Sequence, residues 1–211
     1  MNDESLPIVD PAAVGGDRTP ATVHGVVLAA GTSSRYGSAN KLLGSVDGEH
    51  LVRHAVRTLV DSAAEAVTVV VGYEADRVRP AIEEFPVDVR VNPAFETGQS
   101  TSVREGVRAA SAAGADAAVI ALGDMPDVSP ETVDVLIESY ERGAGAALAP
   151  AHEGQRGNPV LFDSRFFDEL TDISGDIGGR EILLSSDEAA LIQVDDPGVR
   201  RDVDTPADVE R

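Results

Sequence analysis

Cysteine is absent from the chain, which excludes disulfides, thiolate metal sites and a cysteine nucleophile. Lysine is almost absent: Lys41 is the only one, and the other sixteen of the seventeen basic residues are arginine. Aromatic residues make up only 4%, so Ala and Val must carry most of the burial, which favours an α/β core of small side chains. No apolar run approaches the ~18 residues of a membrane span, and the N-terminus lacks a basic-then-apolar signal pattern. A cytoplasmic protein with no membrane contact is the expectation. Positive charge is scarce as well. Seventeen basic against 37 acidic residues leave a net charge of −20, a field that repels nucleic acid and anionic lipid. The acids are dispersed rather than gathered in a tail. That pattern suits a protein of high-salt surroundings, where screening shortens the range of self-repulsion; an acidic, arginine-rich proteome is the simpler alternative.

What the sequence does contain is a regular α/β rhythm, in a length of 211 residues that suits one domain. Residues 1–22 are rich in Pro, Gly and Asp without periodicity and read as a mobile tail, leaving residues 23–211 as the folded domain. Strands are expected at Val23–Ala29, Ala66–Gly72, Val87–Asn92, Ala117–Leu122, Ala144–Ala149 and Ala190–Val194. Their near-continuous apolar character fits strands of a mostly parallel sheet covered on both faces. Helical stretches alternate with them at Leu51–Ser62, Ala75–Phe85, Ser102–Ala112 and Pro130–Arg142, the last opened by Ser129 as N-cap and Pro130 at the first helical position. After about Ala151 the rhythm changes: a Gly-Asn-Pro turn, "PVLF", and short helices at Arg165–Thr171 and Arg180–Leu184. The expected fold is therefore a single Rossmann-like, three-layer α/β domain with an elaborated C-terminal third.

Ligands of open α/β sheets bind beyond the C-terminal strand ends, so the turn after the first strand is a privileged place. There the chain reads "VVLAAGTSSRYGSANKLL", Val26 to Leu43. The small Ala29, Ala30 and Gly31 let a base or phosphate approach the backbone, and Ser33 adds a hydroxyl. Arg35 and Lys41 then bring two positive charges into a strongly negative protein, a combination suited to a polyphosphate. Neither G-x-x-x-x-G-K-[ST] nor G-x-G-x-x-G follows a strand, so the two familiar phosphate loops are not present. Taken alone, the Gly/Ser composition also fits an ordinary flexible loop.

Downstream, "VIALGDMPDVSP" sets Asp124 just past a buried strand, with Gly123 allowing the turn. "RDVDTP" offers Asp204. Each aspartate reads either as a turn or helix cap or as a carboxylate ligand for Mg²⁺, which takes one or two carboxylates together with phosphates and water. A hydrolase is disfavoured: "GQSTS" lacks the final glycine of G-x-S-x-G, and three of the four histidines precede Ser102. His50 and His54 have i, i+4 spacing but no third ligand nearby, so they read as ordinary helix residues rather than a metal pair.

The segment "LAAGTSSRYGSANKLL" resembles the signature of the nucleotidyltransferases that attach CMP or GMP to molybdopterin, within the NTP-transferases of glycosyltransferase-A-like fold. It matches at Leu28, Ala29, Ala30, Gly31, Ser33, Arg35, Gly37, Lys41, Leu42 and Leu43, and departs by Tyr36 in the usual Met slot and one extra residue in "GSANK". "GQSTSVREGV", "ALGDMP", "GNPVLF", "GDIGGR" and "RDVDTP" follow in family order, so the likeness covers nearly everything after Val23. The resemblance implies that Leu28, Ala29, Ala30, Gly31, Ser33, Ser102 and Gly123 border the nucleotide, with Arg35 and Lys41 on its triphosphate. It implies Mg²⁺, with Mn²⁺ as a possible substitute, on Asp124 and Asp204. It places the acceptor against Gly157, Asn158, Pro159, Asp176, Gly178 and Arg180. Gly179 stands where the family often has Ala. "LAAG" is the form of the CMP-transferring members, so CTP is the expected donor over GTP. Molybdopterin or another phosphorylated acceptor would be the second substrate, and a molybdoenzyme a possible recipient of the product. A nucleotide-sensing delivery protein is the non-enzymatic alternative; it would keep the loop but could lose the metal carboxylates.

Overall fold

The computed structural model describes residues 6–33, 39–175 and 178–208. In chain order the strands are β1 (Ile8–Val9), β2 (Val23–Ala29), β3 (Ser45–Val46), β4 (Glu49–His50), β5 (Ala66–Val71), β6 (Asp88–Val91), β7 (Ala117–Leu122), β8 (Ala147–His152), β9 (Gln155–Arg156), β10 (Val160–Asp163) and β11 (Ala189–Gln193). The α-helices are α1 (Leu51–Val60), α2 (Ala75–Ile82), α3 (Gln99–Ala112), α4 (Pro130–Glu141), α5 (Phe167–Asp172) and α6 (Arg180–Ser185). The main sheet runs β1-β11-β8-β10-β7-β2-β5-β6, with β9 hairpinned onto β8. Among the described strands of this sheet, β10 runs antiparallel to both its neighbours, β7 and β8, and β9 runs antiparallel to β8. The mostly parallel three-layer architecture is thus the expected one.

Strand β2 is buried along its whole length between β5 and β7, parallel to both. Its side chains alternate between the two faces, as the pleat dictates. Val27 and Ala29 join one core with α1, α2 and α4, while Val26 and Leu28 join a second with α3, α5 and α6. Glycine lets α3 come close: a Cβ at Gly106 would lie 2.2 Å from Val26 Cγ1. Helix α4 begins as its sequence dictates, with Ser129 Oγ accepting from the Thr132 amide (3.4 Å) and Pro130 in the first turn.

The connections set the site. The chain goes from β2 to β5 and β6 on one side, then returns to β7 on the other side of β2. The strand order therefore reverses between β2 and β7, and this reversal opens a crevice beyond their carboxyl ends.

Two expectations need correction. The segment read as a tail is docked from Leu6 onward: β1 pairs parallel with β11, and Leu6 is buried. Further along, the Thr19 amide donates to the Glu141 carbonyl (2.8 Å), and Arg18 Nε pairs with the Glu141 carboxylate at 2.5 Å. A four-residue apolar stretch, "LPIV", is too short to show periodicity, and its partner lies far down the chain. The fifth strand begins three residues later than expected and runs through Pro150. Strand β10 pairs with β8 only as far as Leu148, so the missing amide of Pro150 falls where that ladder has ended.

His24, buried in β2 and hydrogen-bonded through Nε2 to Thr68 Oγ1 (2.9 Å), has its pKa lowered by burial, partly offset by Asp88. A group that binds its proton less readily when folded destabilises the fold as pH drops through its unfolded value. The melting temperature is expected to fall as pH is taken below 6.5, and a His24→Gln variant to lose part of that slope. Identical slopes in thermal melts of the two proteins at pH 7.5 to 5 would remove His24 as the cause.

Candidate active site

Three residues from distant parts of the sequence meet at the crevice. Lys41 Nζ donates to Asp124 Oδ2 at 2.6 Å and to Asp204 Oδ1 at 3.1 Å. Each is delivered by a local device. After β2 the backbone turns sharply at Ser33, which has a positive φ of 55°, and the Ser33 hydroxyl accepts the Lys41 amide (3.1 Å). Asn40, 2% exposed, caps the short turn Lys41–Leu43: its Oδ1 accepts the Leu42 amide (3.1 Å), while its Nδ2 donates to the Tyr73 carbonyl (3.3 Å). The lysine backbone is thereby fixed on both sides. Asp124 follows β7 by way of Gly123, whose amide donates to the Leu28 carbonyl (2.9 Å). The Asp124 carbonyl in turn accepts the Val203 amide (2.9 Å), which draws the C-terminal segment across and brings Asp204 in. Asp208 caps that segment by accepting from the Thr205 amide and hydroxyl, both at 2.8 Å, so Asp204 is left facing the lysine.

Burial by itself would lower the Lys41 pKa, but the charge and hydrogen bond of Asp124, then those of Asp204, outweigh it and raise the value. Lys41 is an ammonium at neutral pH. The second oxygen of Asp124, Oδ1, is buried without a hydrogen-bond partner. A buried carboxylate oxygen left unpaired is costly, and a divalent cation is the kind of group that satisfies it. The donor set fits a hard, oxygen-preferring ion: Asp124 and Asp204 supply two carboxylates at the rim of an open cavity, with room for phosphate oxygens.

That cavity, about 460 Å³, is lined by Leu28, Ala30, Gly31, Ser33, Lys41, Ser102, Asp124 and Asp204, all expected from the sequence. Two expected residues do not line it. Ala29 is 1% exposed in the core below, and Gly123 is the close-packed turn under the aspartate. Arg35 lies outside the described residues. Ser102 is set on α3, where Asn92 Nδ2 donates to its hydroxyl (2.9 Å), an arrangement without the histidine a nucleophilic serine needs. The cavity also takes in Phe95, Glu96 and Gln99, which the sequence reading passed over. "GQSTS" carried the signal for Gln99, because Gly98, at φ 114°, starts the helix three residues before Ser102.

A second cavity of about 950 Å³ adjoins the first, and the two share Leu28, Gln99 and Leu122 as walls. Among the expected acceptor residues, Asn158, Gly178 and Arg180 line it, together with Arg156 and Phe162. Gly157 is pressed against the distant turn Pro197–Arg200, its would-be Cβ 2.3 Å from the Val199 carbonyl, and Pro159 faces an apolar gap beside Met125 and Val128. Asp176 lies outside the described residues. His50 and His54 are occupied with the β3–β4 hairpin, approaching the Leu43 and Val46 carbonyls at 2.8 and 3.0 Å.

The crevice at the strand-order reversal thus holds a protonated lysine between two carboxylates. Residues 25–190 match the MobA-like NTP transferase domain. The chain belongs to that family. The MobA-like domain thus spans both cavities apart from Asp204, which lies beyond the match. The chain is 32% identical to "Purine catabolism protein PucB" of Bacillus subtilis, over 92% of this chain and 96% of the relative. It is 30% identical to "Nicotine blue oxidoreductase" of Paenarthrobacter nicotinovorans, over 90% and 96%. Among solved structures, Rv0371c of Mycobacterium tuberculosis superposes with a TM-score of 0.77 at 28% identity, covering 90% of this chain and 97% of its own. Rv0371c has also been solved as a complex with manganese. Among the described residues, no helix of this MobA-like chain is long and apolar enough to cross a membrane.

Proposed function

We propose that this MobA-like nucleotidyltransferase moves CMP from CTP to the phosphate of molybdopterin and releases pyrophosphate. The observation that carries the reading is Lys41 held between Asp124 and Asp204, with Asp124 Oδ1 buried and unpaired. The relatives carry unlike names, a purine catabolism protein and an oxidoreductase, and support for the chemistry comes from this site. Lys41 brings one positive charge, and Asp124 and Asp204 bring two carboxylates, to the same place. The same set accepts a nucleotide that arrives with a divalent cation, and a manganese complex of a relative agrees with that. Asp124 and Asp204 would hold Mg²⁺, or Mn²⁺ in its place; when bound, the ion neutralises triphosphate charge.

An oxygen of the acceptor phosphate forms a bond to the α-phosphorus of CTP. The bond from that phosphorus to the oxygen bridging to the β-phosphorus breaks, and its electron pair leaves with pyrophosphate. The attacking phosphate is already an anion, so no proton must be removed and no histidine is required. Lys41 supplies positive charge to the phosphates, Ser33 and Asn40 hold its backbone in place, and Ser102 faces the nucleotide from α3. The preference for cytidine rests on the "LAAG" form at Leu28–Gly31. The larger cavity, with Asn158, Gly178 and Arg180, would receive the acceptor.

The test is pyrophosphate release from CTP, GTP, ATP and UTP with Mg²⁺ and molybdopterin at high salt, alongside thermal shifts with each nucleotide. CTP is expected to give the largest shift and the fastest release. A larger response to GTP moves the donor to guanosine. Release with a sugar or polyol phosphate but not molybdopterin changes the acceptor, and binding without release would mark a nucleotide sensor.

A further inference from the structure

The two cavities meet along a short border, and any group transfer between their occupants must happen there. Three residues line both: Leu28, Leu122 and Gln99. Two are apolar, so among the described residues Gln99 is the one polar side chain common to the two spaces. It is exposed to the cleft at the start of α3. Its backbone position is fixed: Gly98 at φ 114° turns the chain into the helix, and the Ser100 amide donates to the Gly175 carbonyl at 3.1 Å. On the other side Gln99 Oε1 faces the loop before α6: a Cβ added at Gly178 would lie 3.0 Å from it. The side chain thus reaches from the helix that carries Ser102 to the loop that leads into Arg180.

We infer that Gln99 is a catalytic donor for the transfer, its amide N–H groups hydrogen-bonding the phosphoryl oxygens as the group passes from the nucleotide cavity to the acceptor cavity. The inference rests on the nucleotidyl-transfer reading above. A neutral amide suits the position. It donates to an anionic phosphoryl without drawing the divalent ion away, as a carboxylate would, and without pairing with Asp124, as a second ammonium would. An amide contact made as charge shifts between two phosphates acts on the transition state more than on the resting nucleotide.

The experiment compares wild type with Gln99→Leu, which keeps the size and removes the amide, and Gln99→Glu, which keeps the shape and adds a charge. Gln99 is exposed on the first turn of its helix, and thermal melts confirm that each variant is folded. Expected are Mg²⁺·CTP affinity within about threefold of wild type for Gln99→Leu and a kcat for pyrophosphate release lower by roughly 10- to 100-fold, the worth of one hydrogen bond to a charged group. Gln99→Glu is expected to lose at least as much. Wild-type turnover in Gln99→Leu, with wild type itself active, overturns the role of Gln99 alone. So does a loss of CTP affinity that accounts for the whole rate effect. If wild type releases no pyrophosphate with any nucleotide and acceptor, the nucleotidyl-transfer reading fails, and this inference with it.

Discussion

Replacing Lys41 by alanine is expected to slow nucleotidyl transfer by on the order of 10²–10³-fold, the usual loss when one preorganised electrostatic donor is removed. The same change should act in the opposite direction on metal binding. Lys41 Nζ occupies Asp124 Oδ2 and Asp204 Oδ1, so an incoming cation competes with an ammonium. Without the lysine, both carboxylates lose the ammonium that bridges them, and Mn²⁺ followed by electron paramagnetic resonance should bind more tightly. Slower turnover with tighter Mn²⁺ is a signature that general loss of structure does not give. Weaker or unchanged Mn²⁺ binding would show that lysine and metal do not share the carboxylates. Lys41→Arg should recover only part of the rate, because a planar fork does not sit between two oxygens at 2.6 and 3.1 Å as a compact ammonium does.

The largest loss of stability is expected from Phe162→Ala. Phe162 is 1% exposed in the core beneath α5 and α6, and removing a buried phenylalanine costs about 3–5 kcal/mol. Denaturant melts with an unchanged slope would measure it. The ring also explains a departure from the family pattern. A Cβ at Gly179 would lie 2.6 Å from Phe162 Cζ, so the alanine often found there does not fit against this ring. Gly179→Ala should cost about 1–3 kcal/mol by overpacking. Combined with Phe162→Leu it should cost less than the sum of the two, a coupling that a double-mutant cycle reads directly. Strict additivity would mean that the loop relaxes away from the ring. Gly179 opens α6 and precedes Arg180 on the larger cavity, so under the proposed function the packing fault should also raise the acceptor KM.

The three charged residues of the site were legible because each follows a feature that reads locally. Lys41 stands out in a chain otherwise without lysine, Asp124 follows an apolar run and a glycine, and Asp204 precedes Thr-Pro. A parallel sheet brings such positions to one edge whatever the details between them. Other parts were hidden for identifiable reasons. Asn40 is a capping residue inside a Gly/Ser-rich stretch whose composition reads as loop. The direction of β10 cannot be taken from "PVLF", since an apolar strand covered on both faces looks the same either way; its pairing with β7 and β8 decides it. The hairpin β3–β4 carried a usable sign in Asp47–Gly48, both at positive φ (51° and 85°), the pair that tight hairpin turns favour. Gln99 was legible as part of a motif but not as a border residue, since that depends on where two cavities meet.

The bond between Lys41 and Asp204 spans 163 residues of sequence. At ~5–20 residues per second, a ribosome needs roughly ten to thirty seconds to go from one to the other. Throughout that interval the nascent chain holds the lysine, and later Asp124, without the residue that completes the pair. The strands β2, β5 and β7 can assemble early, yet the charged centre closes only once Val203 has reached the Asp124 carbonyl. The centre therefore closes only after every described strand of the main sheet has been synthesised.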